Sequence, residues 1–318
     1  MQEPYIRPDV RAFLAALAAN PRPKIDAANI AAMRPLAPQG MAMLEPPPGE
    51  LAETRDHVAS GPDGDIALRL FDVRAERPAG PVVVFFHGGG YVIGCIDTHV
   101  AMCAEISRQL DLPVISVEYR LAPEHPWPAA PDDAEAAVRW IAENGAQFGR
   151  AFTGIVLAGD SAGGNLTLVT TLALRDRPAA LPALFQMALY PAVDVRGSYP
   201  SGAAFSEGYG LDGKDMAFYN EAYDPHPTHW RAAPLNADQT GLPPTLIVTA
   251  GLDPLRDQGR AYAAKLIGAG VPTNYIEVPG VIHGFLGFRR AIPSAQQDFL
   301  AVLDQARAML REAARASG

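Results

Sequence analysis

Apolar residues fall into two kinds of run along this chain. From about residue 54, uninterrupted stretches of strand length recur: IALRLF (66–71), VVVFF (82–86), PVISVEY (113–119), GIVLAG (154–159), LFQMALY (184–190), PTLIVTA (244–250) and TNYIEV (273–278). Segments of helical character lie near 98–110, 131–144, 162–175, 256–268 and 293–315. Strands that are apolar throughout, separated by helices, belong to a parallel sheet buried on both faces. The pattern therefore predicts an α/β fold with a mostly parallel central sheet flanked by helices.

Two segments break the alternation. Residues 1–45 read as two short helices, 8–19 and 25–34, separated by Asn20-Pro21-Arg22-Pro23 and followed by the stiff Pro46-Pro47-Pro48-Gly49 linker. In the first, Val10, Phe13, Leu14 and Leu17 form the stripe of an amphipathic helix. Residues 198–232 are aromatic-rich, show no strand pattern and read as an insertion. This leaves 46–197 and 233–318 as the main domain, with no repeat at a 20–50 residue period.

Composition narrows the partners. The 318 residues carry a net charge of −9 and no basic run, which argues against a nucleic-acid partner. The apolar run AFLAALAA (12–19) is preceded by Glu3, Pro4, Pro8 and Asp9, a poor start for a secretory leader. No run reaches the ~18 apolar residues of a membrane span. The two cysteines, Cys95 and Cys103, are spaced too far along a helix to bridge, which suits a reducing cytoplasm.

The chemistry lies at strand ends. GDSAG (159–163) follows the strand GIVLA and precedes a helix, the context of a G-x-S-x-G nucleophile elbow. Such a turn strains the backbone at Ser161, and Gly159 and Gly163 remove side chains that would clash. HGGG (87–90) follows VVVFF; small residues there let backbone N–H groups approach an oxyanion. Gly88 and Gly89 are the expected donors, joined by Ala162, the residue after the nucleophile. His87 reads as an anchor for this loop. No Lys-Ser/Thr follows the glycines, which disfavours a phosphate loop.

The acid and base follow in the order this kind of fold uses. Asp253 comes directly after PTLIVTA in GLDPLRD, and His283 follows TNYIEV in PGVIHGF. His283 would act as general base toward Ser161, and Asp253 would hold its tautomer. Asp257 competes for the acid role, but it falls in the first turn of the next helix, where a carboxylate suits the dipole. The remaining histidines, His57, His99, His125, His226 and His229, read as surface or loop-anchoring residues. Asp224, His226 and His229 are interrupted by prolines and lack zinc-like spacing, so no metal site is expected.

Five ordered motifs then carry a resemblance: HGGGYVIGCIDTH (87–99), YRLAPEHPWPAAPDDA (119–134), GDSAGGNL (159–166), GLPPTLIVTAGLDPLRDQGRAYA (241–263) and PGVIHGF (279–285). Over roughly residues 45–315 the chain resembles the bacterial hormone-sensitive-lipase-like esterases, family IV of the lipolytic enzymes, in the subgroup with Asp before the nucleophile. The resemblance implies an α/β-hydrolase fold, a Ser161–Asp253–His283 triad, an oxyanion hole of Gly88, Gly89 and Ala162, and a helical cap from 1–45 and 198–232. It also implies a cofactor-free carboxylesterase, acting on short- to medium-chain esters through an acyl-enzyme, and a homodimer. Cys95 stands where serine is more usual and Tyr91 where phenylalanine is common; these departures bear on the acyl or alcohol pocket if the two side chains reach it, and for Cys95 the favoured reading is a small buried hydrophobe.

Lactonases, amidases and deacetylases share the same machinery, and the alternatives differ only in pocket shape. A non-catalytic receptor of the same fold is a further alternative; the plant gibberellin receptor resembles this family but lacks the catalytic histidine, which this chain keeps as His283. An interfacial lipase is disfavoured because the N-terminal helix offers only Arg11 on its polar face. The cap aromatics, Phe205, Tyr209, Phe218, Tyr219 and Tyr223, with Phe13 and Leu17, either line an apolar pocket or pack the cap onto the core.

Overall fold

Every apolar run listed by the pattern becomes a strand of a single sheet. The computed structural model describes residues 3–20 and 25–316. Its strands are β1 (Glu53–Gly61), β2 (Gly64–Asp72), β3 (Gly80–Phe86), β4 (Val114–Val117), β5 (Phe152–Asp160), β6 (Ala183–Leu189), β7 (Thr245–Leu252) and β8 (Thr273–Ile282). They lie in the order β1-β2-β4-β3-β5-β6-β7-β8. β2 pairs antiparallel with β1 and β4, and all other pairs are parallel. The chain thus has the α/β-hydrolase architecture, a mostly parallel sheet flanked by helices.

The helices are α1 (Pro8–Ala19), α2 (Ile30–Met33), α3 (Ala37–Leu44), α4 (Val100–Leu110), α5 (Ala129–Glu143), α6 (Ala162–Asp176), α7 (Pro200–Ala204), α8 (Gly213–Tyr223), α9 (Arg256–Gly268) and α10 (Ser294–Ala316). Successive strand residues point to opposite faces, so one apolar run feeds two cores. Val83 and Phe85 of β3 pack with Met102 and Ile106 of α4 and Phe299 and Leu303 of α10. Val82, Val84 and Phe86 pack on the other face with Ala134 and Val138 of α5 and Leu166 of α6. All five β3 residues are fully buried, and burying a side chain of this size contributes about 1.5–3 kcal/mol. Two-sided burial is the reason the run shows no polar alternation. Among the described residues, no helix is long and apolar enough to cross a membrane.

Two elements differ from the sequence expectation. β1 is an edge strand with mostly exposed side chains, so ETRDHVASG carries no apolar run; the hairpin turn between Gly61 and Gly64 is its legible signal. The helix expected over 25–34 is confined to α2. Asp26 Oδ1 takes the N–H groups of Ala28 and Asn29, closing a turn instead of a helix. Pro35 and Pro38 then start two further pieces, a 3₁₀ turn at Arg34–Leu36 and α3. Pro21-Arg22-Pro23 of the expected linker lies outside the described residues. The stretch 198–232 holds α7 and α8 and no strand.

Both peripheral segments are tied to the sheet's C-terminal edge. Arg7 donates its backbone N–H to Gly280 O at 3.1 Å and pairs with Asp298 of α10, while Phe13 packs on Phe288 with ring centroids 5.3 Å apart. Ser201 of α7 and Asp257 of α9 exchange hydrogen bonds, Ser201 N–H to Asp257 Oδ2 at 2.9 Å and Asp257 N–H to Ser201 Oγ at 3.2 Å.

Candidate active site

Ser161 stands between the last residue of β5 and the first of α6, with φ 54° and ψ −115°. This is the left-handed half of backbone space, which costs a non-glycine residue about 1–3 kcal/mol. Surrounding structure holds it there. The Ser161 N–H donates to Leu189 O at 2.8 Å, and a Cβ on Gly163 would lie 1.9 Å from Phe86 O. Only glycine at 163 lets α6 start so close to the end of β3. The serine hydroxyl therefore sits at the N-terminus of a 15-residue helix, where unpaired N–H groups favour negative charge.

Two loops from the neighbouring strand ends meet it. His283, just after β8, brings Nε2 to 2.8 Å from Ser161 Oγ. Its Nδ1 is 2.7 Å from Asp253 Oδ2, just after β7. Asp253 is fully buried, and its other oxygen accepts the Leu255 N–H at 2.8 Å. That second bond fixes the carboxylate plane, so Oδ2 is presented to the imidazole. Tyr190, at the end of β6, sets its ring edge-on to His283 at 5.0 Å. Asp257 is not at this centre; it is engaged by Ser201, Arg256 and Arg260 at the start of α9.

The glycine loop corrects one expectation. The Gly88 N–H donates to Asp160 Oδ1 at 2.7 Å, so it is spent within the protein and is not free for an oxyanion. The N–H groups of Gly89 and Gly90 meet no acceptor among the described residues. Ala162, the first residue of α6, has no acceptor within its helix. Gly89 has φ 125°, and a Cβ there would strike Ile93 O at 2.1 Å; the loop can only be built with glycine.

His87 anchors this loop. Its Nδ1–H donates to Gly88 O at 2.9 Å, its ring stacks on Tyr119 at 4.3 Å, and Tyr119 donates its hydroxyl to His87 O at 2.7 Å. Complete burial pushes its pKa down to about 3, so the ring is neutral. Sequence reasoning placed His99 among surface or loop-anchoring residues, yet it is buried with Nε2 3.1 Å from Asp160 Oδ1. Nothing in local spacing signals this contact, which joins residues 61 positions apart.

The aromatic residues of the insertion divide. Tyr219 of α8 lies over the glycine loop, where a Cβ on Gly90 would fall 2.4 Å from its ring. Tyr223 is buried and stacks on Tyr91 at 3.7 Å, six degrees from parallel. Phe205 packs beneath the Arg256 guanidinium and edge-on to Tyr209. Tyr91 therefore packs the insertion onto the glycine loop. Cys95 instead caps the 3₁₀ turn Ile96–His99, exchanging hydrogen bonds with Thr98 as a serine would. Cys95 and Cys103 are free thiols. His226 and His229 pack against Trp127, and among the described residues no group of three or more His, Cys, Asp or Glu is arranged to hold a metal ion.

Comparison with known proteins places the chain in one family. A family profile described as the alpha/beta hydrolase fold matches residues 83–287. Esterase LipI of Mycobacterium tuberculosis is 40% identical over 249 residues, 76% of this chain and 78% of the relative. Carboxylesterase NlhH of the same species is 40% identical over 270 residues, 81% and 83% of the two chains. The solved structure of the ester-hydrolase EH1AB1, from the metagenome of Lake Arreo, superposes with a TM-score of 0.88 at 39% identity, covering 98% of this chain and 100% of that one.

Proposed function

This chain belongs to the hormone-sensitive-lipase-like esterases of the α/β-hydrolase superfamily and is a serine carboxylesterase; from that premise we propose that Ser161, His283 and Asp253 are its nucleophile, base and acid. The single observation that carries the assignment is the unbroken chain Ser161 Oγ–His283–Asp253, with contacts of 2.8 and 2.7 Å. Ser161 Oγ attacks the ester carbonyl while His283 Nε2 takes its proton. The tetrahedral oxyanion collapses, the C–O bond to the alcohol breaks, and His283 returns the proton to the departing alcohol. Water, deprotonated by the same nitrogen, then attacks the acyl carbon; the bond to Ser161 Oγ breaks, His283 returns the proton to Oγ, and the acid is freed. Asp253 stabilises the imidazolium formed in each half.

The oxyanion donors in this reading are Gly89, Gly90 and Ala162. Gly90 replaces Gly88 because the Gly88 N–H already serves Asp160. Residues 1–45 and 198–232 act as a cap over this centre, and the ring of Tyr219 above Gly90 supports that role. The Tyr219 ring against Gly90 narrows the space over the glycine loop, which supports esters of short to medium acids. The free thiols fit a cytoplasmic enzyme, and a homodimer remains the expectation from the family.

Hydrolysis of p-nitrophenyl butyrate by Ser161→Ala tests the nucleophile. The substitution is expected to lower kcat by at least about 10⁴-fold; near-normal turnover refutes the assignment. An acyl series is expected to decline well before dodecanoate, and a maximum at twelve carbons or beyond refutes the short-chain reading.

A further inference from the structure

Asp160 immediately precedes the nucleophile, and both of its oxygens crowd the glycine loop. Oδ1 accepts the Gly88 N–H, and a Cβ on Gly88 would lie 2.5 Å from Oδ2. A buried carboxylate demands compensation. It also sets a full negative charge beside the loop where the reaction develops another, and like charges in a dry site repel strongly. Among the described residues, the basic side chain in contact with it is His99.

The hydrogen-bond partners of that ring suit its protonated form. Nε2 faces the Asp160 carboxylate, which accepts and cannot donate when ionised. Nδ1 lies 2.8 Å from Thr98 Oγ1, and that hydroxyl is also 2.7 Å from Cys95 O. With its proton on Cys95 O, the hydroxyl accepts from Nδ1 and both ring nitrogens carry hydrogen, which is the imidazolium. The groups facing the ring from the packed elements agree: Asp160 at the end of β5, Glu45 after α3, and the neutral His87 after β3. Burial opposes the charge, but the two carboxylates outweigh it and hold the His99 pKa above the ordinary range.

We propose that His99, as an imidazolium, is a positioning residue for ester hydrolysis: it cancels the charge of Asp160 and so keeps Asp160 on Gly88 and the glycine loop in its working shape. The inference rests on the reading of that loop as the oxyanion site. It gives the aspartate before the nucleophile a purpose, since Asp160 can hold the loop without opposing the oxyanion only while His99 is charged. His99 touches neither substrate nor Ser161.

His99→Gln tests it, because Gln reproduces the Nε2 donor without the charge. With p-nitrophenyl butyrate, kcat per titrated active site is expected to fall by roughly 10–100-fold, short of the ~100–1000-fold that outright loss of an oxyanion donor costs, with KM changed less than about threefold. Removing the stranded carboxylate as well, in His99→Gln/Asp160→Asn, is expected to recover at least about threefold of that loss. Wild-type kcat in His99→Gln, a loss confined to KM, or no recovery in the double variant overturns the proposal. Should His99→Gln fail to fold, the ¹⁵N signals of the His99 ring in the wild-type protein at neutral pH decide: an imidazolium pattern supports it and a neutral ring overturns it. Ser161→Ala separates the two readings. An active Ser161→Ala refutes the site itself, whereas an inactive one beside an unaffected His99→Gln refutes only the role of His99.

Discussion

The Asp160 carboxylate accepts the Gly88 backbone N–H at 2.7 Å across 72 residues of sequence, tying the turn that carries Ser161 to the loop that follows β3. The two ends are held so closely that no side chain fits between them: a Cβ on Gly88 would stand 2.5 Å from Asp160 Oδ2 and 2.9 Å from its carbonyl oxygen. Part of that crowding is backbone, which cannot rotate away.

Gly88→Ala is therefore expected to displace the glycine loop and to cost about 100–1000-fold in kcat, the size of a lost oxyanion donor, although Gly88 itself donates nothing to substrate. Kinetics per titrated site check this. A variant with normal kcat would show that the loop tolerates displacement.

The two candidate acids separate by substitution. Asp253→Asn leaves the wrong partner on His283 Nδ1 and is expected to lower kcat by about 10⁴-fold. Asp257→Asn weakens the bonds that hold Ser201 and α7 and is expected to change kcat less than about threefold, while costing about 1–3 kcal/mol in stability. Parallel kinetics and thermal melts distinguish these outcomes.

Stability should depend on pH through the His99–Asp160 pair. The Asp160 pKa lies below its ordinary value: burial opposes ionisation, but His99 and the Gly88 N–H outweigh it. Its contribution is present above about 3.8 and is lost as pH falls through the lowered folded value. The His99 pKa is raised, so its contribution is complete below about 6.5 and is lost as pH rises through the folded value. The gap in Tm between wild type and His99→Gln is expected to be widest between those limits and to narrow on the alkaline side. A gap that is constant with pH would contradict the charged pair.

Tyr223→Ala removes the ring stacked on Tyr91 and opens a buried cavity, with an expected cost of about 3–5 kcal/mol. Because this contact presses α8 onto the glycine loop, KM for the butyrate ester is expected to rise more than kcat falls. An unchanged KM would mean that α8 is held elsewhere.

Features that depend on neighbours along the chain are legible before any fold is known. Runs such as VVVFF and GIVLAG become buried strands because their own apolarity demands cover on both faces. GDSAG becomes a strained elbow because the glycines that permit it flank the serine directly. Asp253 and His283 were legible because each lies just beyond a recognisable strand, and parallel strands deliver such loops to one edge. Tertiary structure decided which polar groups each of these meets. The HGGG glycines look alike in sequence, yet Gly88 is consumed by Asp160 while Gly89 and Gly90 meet no acceptor among the described residues, because β3 and β5 end side by side. His99 carries no motif, and its pairing with Asp160 exists only once α4 packs behind those strand ends. Local pattern sets backbone shape, but hydrogen bonds and charge balance are settled by what arrives from elsewhere, since a buried polar group must take whatever partner the packing brings.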